Sequence, residues 1–249
     1  MLKLLALLLS GAKLGKIAAS GGTMLISLVV YAFVFGWRYA AGFVALLLVH
    51  EMGHYLAAKQ RGLPVGLPTF IPFVGAWIEL KQMPHDAETE AWVGLGGPAL
   101  GTLGALVCWW MARSFELPWL LAVSYAGFFL NLFNMIPLSP FDGGRITAVL
   151  SPRIWLVGVP VLGGLFFWHP SPMLLLMALI AAPQVWKAIR YRRDSLEAQT
   201  YYAVSTAKRW EYGLYYLVLL AFLGMMTYEV HEQLQQLGRA GAAGGAMRP

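Results

Sequence analysis

The 249-residue chain has little charge: Asp, Glu, Lys and Arg together make up 12% of it, where a soluble domain carries about 25%. That scarcity excludes an intrinsically disordered chain, which needs low hydrophobicity and high charge. A single cysteine, Cys108, excludes a disulfide framework and a cysteine-based zinc finger. No internal repeat and no second soluble domain is visible. What is present in excess is apolar: 59% of residues are hydrophobic, above the roughly 45–50% of an ordinary globular domain. The balance implies one polytopic membrane domain.

A membrane-crossing helix needs roughly 20 mostly apolar residues. Seven candidate spans meet that description, at 22–37, 39–58, 91–112, 117–138, 154–168, 172–189 and 212–228. Trp and Tyr cluster at many of their ends, where amphipathic rings settle at the headgroup level. Cytoplasmic loops carry the Lys and Arg excess. With the N-terminus inside, the basic residues divide 14 inside against 4 outside, so the N-terminus is expected to be cytoplasmic. The net charge of +6 therefore reads as an orientation signal and as contact with anionic lipid, not as a nucleic-acid surface. Residues 1–21 read as an interfacial segment, 22–228 as the membrane domain, and 229–249, rich in Gly and Ala towards its end, as a flexible tail. Residues 190–211 form a charged connector on the cytoplasmic side.

Ionisable groups at membrane depth are costly, so each is a functional candidate. Of the 12 acids, ten lie in loops or at span ends. The two exceptions are Glu51, within the second span, and Asp142, which follows the fourth. Glu51 sits in the string His50-Glu51-Met52-Gly53-His54. On a helix, residues four apart share a face, so two imidazoles there can hold one metal ion. Zinc takes imidazole and carboxylate ligands and, in catalytic sites, keeps one position open for water. Glu51 is turned about 100° from His50, so it can act as a general base without ligating the metal. A haem site fits poorly, because residues one turn apart cannot be opposite axial ligands. His85, His169 and His231 read as ordinary loop residues.

Two histidines leave the metal short of a third protein ligand. Asp142 is the only acid between Glu116 and Asp194. It lies in Asn131-Leu-Phe-Asn134-Met-Ile-Pro137-Leu-Ser-Pro140-Phe-Asp142-Gly143-Gly144, where prolines and glycines interrupt the helix. Such irregular backbone at membrane depth is tolerated where it is buried or lines a wet cavity. Asp142 is thus expected to dip into the membrane and complete the ligand set.

These two segments, HEMGH at 50–54 and Asn-x-x-Pro-x-x-Pro-x-Asp-Gly at 134–143, resemble the site-2 protease family of intramembrane zinc metalloproteases. The resemblance covers about residues 39–150. It implies that His50, His54 and Asp142 bind one Zn2+, that Glu51 activates water, and that Asn134 positions the substrate or stabilises the oxyanion. Two departures are mild: Phe141 stands where the family usually has Leu, and Ser139 replaces a frequent second proline. The resemblance implies a minimal member, with no PDZ insertion and no nucleotide-binding module.

The stretch from Val65 to Lys81 is apolar but broken by Pro68, Pro72 and Gly75. In the family a membrane re-entrant β-hairpin occupies this place, and its edge near Gly75 could hold an unwound substrate by strand addition. Gly94–Gly101 is glycine-rich but lacks the Lys and Ser/Thr of a phosphate loop; close helix packing is expected there. The expected fold is therefore an all-α polytopic membrane protein, with about six to seven transmembrane helices and a re-entrant β-hairpin near 65–81. The expected function is a zinc endopeptidase cutting in or near transmembrane segments of other membrane proteins. Its partners would be the lipid bilayer and a single-span substrate, such as a tethered regulator or a signal-peptide remnant, and not nucleic acid. The alternative is a polytopic zinc transporter or a non-catalytic zinc-binding membrane protein.

Overall fold

A computed structural model describes residues 2–245, with side chains described for 15–239. Nine α-helices and one β-hairpin make up the described residues. Helix α1 (Leu2–Phe35) and helix α2 (Trp37–Gln60) are joined at Gly36, whose φ of 84° a residue with a Cβ would resist. Strands β1 (Val65–Ile71) and β2 (Gly75–Leu80) pair antiparallel, with Ile71 opposite Gly75 and Val65 opposite Leu80. Then follow α3 (Ala87–Ser114), α4 (Pro118–Asn134) and the short α5 (Asp142–Ala148). A 3-10 turn at Pro152–Ile154 leads into α6 (Trp155–Trp168), α7 (Pro172–Arg190), α8 (Leu196–Thr200) and α9 (Thr206–Gly245).

Among the described residues, five helices of 18 or more residues are apolar enough to cross a membrane: residues 15–35 of α1, all of α2, α3 and α7, and residues 206–239 of α9. The chain is an integral membrane protein. The sequence predicts two further spans. The two remaining expected spans, at 117–138 and 154–168, are helical but short, as the 17-residue α4 and the 14-residue α6. Pro137 and Pro140 end the first early, because proline lacks the backbone donor that a continuing helix uses.

The expected interfacial segment 1–21 is the start of α1, and the side chains of its residues 1–14 lie outside the described residues. The expected tail at 229–249 overlaps the last helix. Helix α9 runs on to Gly245, so residues 229–245 are helical where the glycines suggest a flexible chain. Residues 246–249 lie outside the described residues.

Helices α2, α3 and α4 form the centre. Large apolar side chains on α1, α7 and α9 face outward, among them Phe33, Leu179 and Val218, each more than half exposed. In a membrane protein that is the lipid-facing surface. The α2 and α3 backbones touch at Gly53 and Gly96, where a Cβ on either would overlap the other helix. This is the close approach expected of the 94–101 glycines. The hairpin is strapped to α1: the Ser20 hydroxyl donates to the Pro68 carbonyl, the Phe70 amide to Thr23 Oγ1, and the Phe73 amide to the Tyr31 hydroxyl. These bonds cover the outer edge of β1 and leave β2 with an edge that no strand pairs among the described residues.

Candidate metal centre

Helix α2 carries His50, Glu51 and His54, and all three are buried. The one-turn spacing sets the two imidazoles beside each other, with ring centroids 4.8 Å apart. Room for the His54 ring comes from α3: a Cβ on Gly97 would fall on its Nε2, Cε1 and Cδ2 atoms. Asp142 arrives from the other side of the core as the first residue of α5. The irregular segment between Asn134 and Asp142 turns the chain back inward, and one bond within it and one just past Asp142 hold it there. The Tyr216 hydroxyl of α9 donates to the Met135 carbonyl at 2.6 Å, and the Trp155 indole donates to the Gly144 carbonyl at 2.8 Å. Asp142 is 6% exposed as a result.

The three side chains meet at one point. His50 Nε2 lies 3.2 Å from Asp142 Oδ2, His54 Nε2 lies 3.2 Å from Asp142 Oδ1, and the two Nε2 atoms are 3.2 Å apart. The other ring nitrogens explain why. His54 Nδ1 faces the Val93 carbonyl at 2.7 Å, an acceptor only, so Nδ1 carries the proton. His50 Nδ1 faces Asn131 Oδ1 at 2.9 Å. The Asn131 amide cannot be flipped, since its Nδ2 donates to the Gly127 carbonyl at 2.7 Å. Both Nδ1 atoms are therefore donors, and both Nε2 lone pairs point at each other and at a carboxylate.

Three converging lone-pair donors repel unless positive charge lies between them. The donor set, two imidazoles and one carboxylate, suits zinc. A tetrahedral ion with ligand bonds of about 2.0 Å sets its ligand atoms about 3.3 Å apart, close to the separations found. His50, His54 and Asp142 can thus hold one metal ion.

A cavity of about 310 Å³ opens beside them. Glu51 lines it, and its Oε2 is buried with no hydrogen-bond partner among the described residues. Asn134 and Gly75 line the same cavity, as do β2 residues from Ala76 to Ile78. One N–H of Asn134 donates to the Leu130 carbonyl at 3.1 Å, leaving the other free for the cavity. Arg145 also lines it, with Nη1 3.8 Å from Asp142 Oδ1. Every residue singled out in the sequence is therefore gathered around one space, while His85, His169 and His231 are exposed and stand apart from the cluster.

Residues 38–117 match the family model described as peptidase family M50. Over that stretch, about a third of the chain, the protein is similar to peptidase family M50. The matched stretch takes in His50, Glu51 and His54 and stops short of Asn131, Asn134 and Asp142. The chain is 31% identical over 117 residues to a zinc metalloprotease of Methanocaldococcus jannaschii, covering 45% of this chain and 33% of that protein. It is 25% identical over 183 residues to an Arabidopsis thaliana protein named "Probable zinc metalloprotease EGY1, chloroplastic", covering 50% and 33%. The chain thus spans about a third of the length of the curated relatives it matches. Against the solved structure named Site-2 Protease from Methanocaldococcus jannaschii, the TM-score is 0.44 at 19% identity, over 67% of this chain and 85% of that one.

Three features of the site escaped sequence reasoning: Asn131, the Val93 carbonyl and Gly97. Asn131 had a signal. It is an uncharged polar residue inside an apolar span, and such groups face the interior and find partners. A search confined to ionisable groups passes over it. The Val93 carbonyl has no signal at all, because any residue type offers one.

Proposed function

We propose that this chain is a zinc-dependent endopeptidase that hydrolyses peptide bonds in or near the transmembrane segments of other membrane proteins. The observation that carries it is the convergence of three metal-ligating lone pairs, an unpartnered buried carboxylate and an unpaired strand edge on one cavity. His50, His54 and Asp142 would hold the zinc. When bound there, zinc supplies Lewis acidity toward a carbonyl and a lowered pKa for water.

The chain's own groups supply the rest. The Glu51 carboxylate, with Oε2 free, takes a proton from the attacking water and later delivers it to the leaving nitrogen. The spare N–H of Asn134 donates to the substrate carbonyl oxygen as negative charge grows on it. A transmembrane helix hides its amides in its own hydrogen bonds, so it must be unwound before it can be cut. Strand β2, starting at Gly75, offers an edge on which the unwound segment can pair. The substrate proposed is therefore a single-span protein, such as a membrane-tethered regulator or a signal-peptide remnant. The division of basic residues supports an N-terminus and a site opening on the cytoplasmic side. A transporter would want a second metal station along its path. Among the described residues, His50, His54 and Asp142 are the one metal-competent group of three or more such side chains.

The test is co-expression with a single-span substrate, with the product read by mass spectrometry. Glu51→Gln is expected to lower cleavage by about 10²–10⁴-fold, the usual contribution of a general base, with bound zinc unchanged. Cleavage at the wild-type rate would remove Glu51 from the base role.

A further inference from the structure

A second polar cavity, of about 410 Å³, lies away from the metal cluster, at the junction of α5, α7, α8 and α9. It is lined by Leu150, Ser151, Tyr191, Arg193, Ala198 and Arg209, with no acid among them. The surrounding charges do not balance. Asp194 is paired with Arg192 at 2.7 Å, Glu197 with Lys187 at 2.6 Å, and Glu211 with Lys208 at 2.8 Å. Arg153, Arg190, Arg193 and Arg209 are left in no ion pair among the described residues.

Arg209 is a fixed cation. Its guanidinium donates to the carbonyls of Leu150, Val204 and Tyr202, which hold it in place without neutralising it. Three of its five N–H groups are used, so two remain. Arg153 is tied in the same way to the Tyr191 carbonyl at 3.3 Å. Arg193 is exposed, and no acceptor among the described residues takes its guanidinium. Charges that end up partly buried are normally paired. Here the pairing group is one the chain does not supply.

The position says which anion. Helices α7 and α9 are both candidate spans, and the segment joining Arg190 to Thr206 brings their ends to one membrane face. Trp186 and Trp210 are exposed near those ends, as in the aromatic belt at headgroup depth. At that depth the abundant anion is a lipid phosphate. We infer that this cavity binds the phosphodiester headgroup of an anionic phospholipid, with Arg209 as the fixed cation and Arg193 closing over it. Leu150 and Ser151 follow α5 directly, so the bound lipid would also brace the helix that starts at Asp142.

The full-length protein in nanodiscs tests this. Thermal unfolding and native mass spectrometry are read in phosphatidylcholine alone, with phosphatidylglycerol added, and with inorganic phosphate added instead. Wild type is expected to be stabilised by phosphatidylglycerol and to retain it. Arg193→Gln is expected to bind it about fivefold more weakly, the effect of about 1 kcal/mol per basic group. Arg193→Lys is expected to stay near wild type. Arg190→Gln removes a charge from the same face outside the cavity and is expected to change binding less than twofold. Equal weakening in Arg190→Gln and Arg193→Gln would mean diffuse attraction and overturn the pocket, as would no weakening in Arg193→Gln. Stabilisation by inorganic phosphate that matches the phosphatidylglycerol effect would overturn the lipid assignment.

Discussion

Asn131 offers the sharpest test of how the ligand set is built. Its side chain is 1% exposed and makes two bonds, accepting from His50 Nδ1 at 2.9 Å and donating to the Gly127 carbonyl at 2.7 Å. Asn131→Leu keeps the bulk and removes the acceptor. The His50 Nδ1–H is then buried without a partner, which costs about 1–3 kcal/mol. The ring can recover by moving its proton to Nε2, but that consumes the lone pair meant for the metal. Losing a partner that orients a ligating histidine typically weakens metal affinity about 10–100-fold, or about 1.4–2.7 kcal/mol. The two estimates agree because they describe one event. The assay is a chelator competition on purified protein, with zinc content read by plasma emission. Asn134→Leu, three residues on, is the control. It touches the cavity and no ligand, so it is expected to keep zinc and lose cleavage. Equal zinc affinity in Asn131→Leu and wild type would refute the account of how His50 is oriented.

Gly97→Ala puts a methyl group where the His54 ring now sits, so His54 must leave its place; bound zinc is expected to fall at least as far as in Asn131→Leu, with normal stoichiometry refuting the contact. At the membrane surface, partial burial and the neighbouring Glu90 carboxylate hold the Tyr201 phenol well above its usual ionisation range. A phenol raised in the folded state contributes stability that is complete below about pH 10 and is lost as pH rises further, because the unfolded chain ionises first. The midpoint of chemical unfolding is therefore expected to fall above about pH 10, and Tyr201→Phe is expected to flatten that fall; identical slopes would contradict it.

Much of the site was legible in the chain because it is so poor in charge. With 12% charged residues and five histidines, the ionisable groups at membrane depth reduce to His50, Glu51, His54 and Asp142. The helical repeat alone puts His50 and His54 on one face. Asp142 could be named by elimination, since no other acid lies near. Asn134 and Gly75 came through resemblance, and both line the cavity. Legibility failed where the sequence signal was weak or misleading. The Gly- and Ala-rich end suggests flexibility, yet helix continues to Gly245. Hydropathy placed a span at 117–138, and the helix there, α4, ends at Asn134, ahead of Pro137 and Pro140.

Residue types and their spacing by themselves determined the compartment, the metal-binding character and the pairing of His50 with His54. Those follow from transfer free energy and helix geometry, which are local properties. Only the tertiary structure decided that Asp142 meets them, 88 residues along the chain from His54. It also decided that Asn131 and the Val93 carbonyl set both Nδ1 protons, and that Gly97 makes room for a ring. These depend on which backbone lies against which. That is settled by packing across α2, α3, α4 and α5 together, and no single segment encodes it.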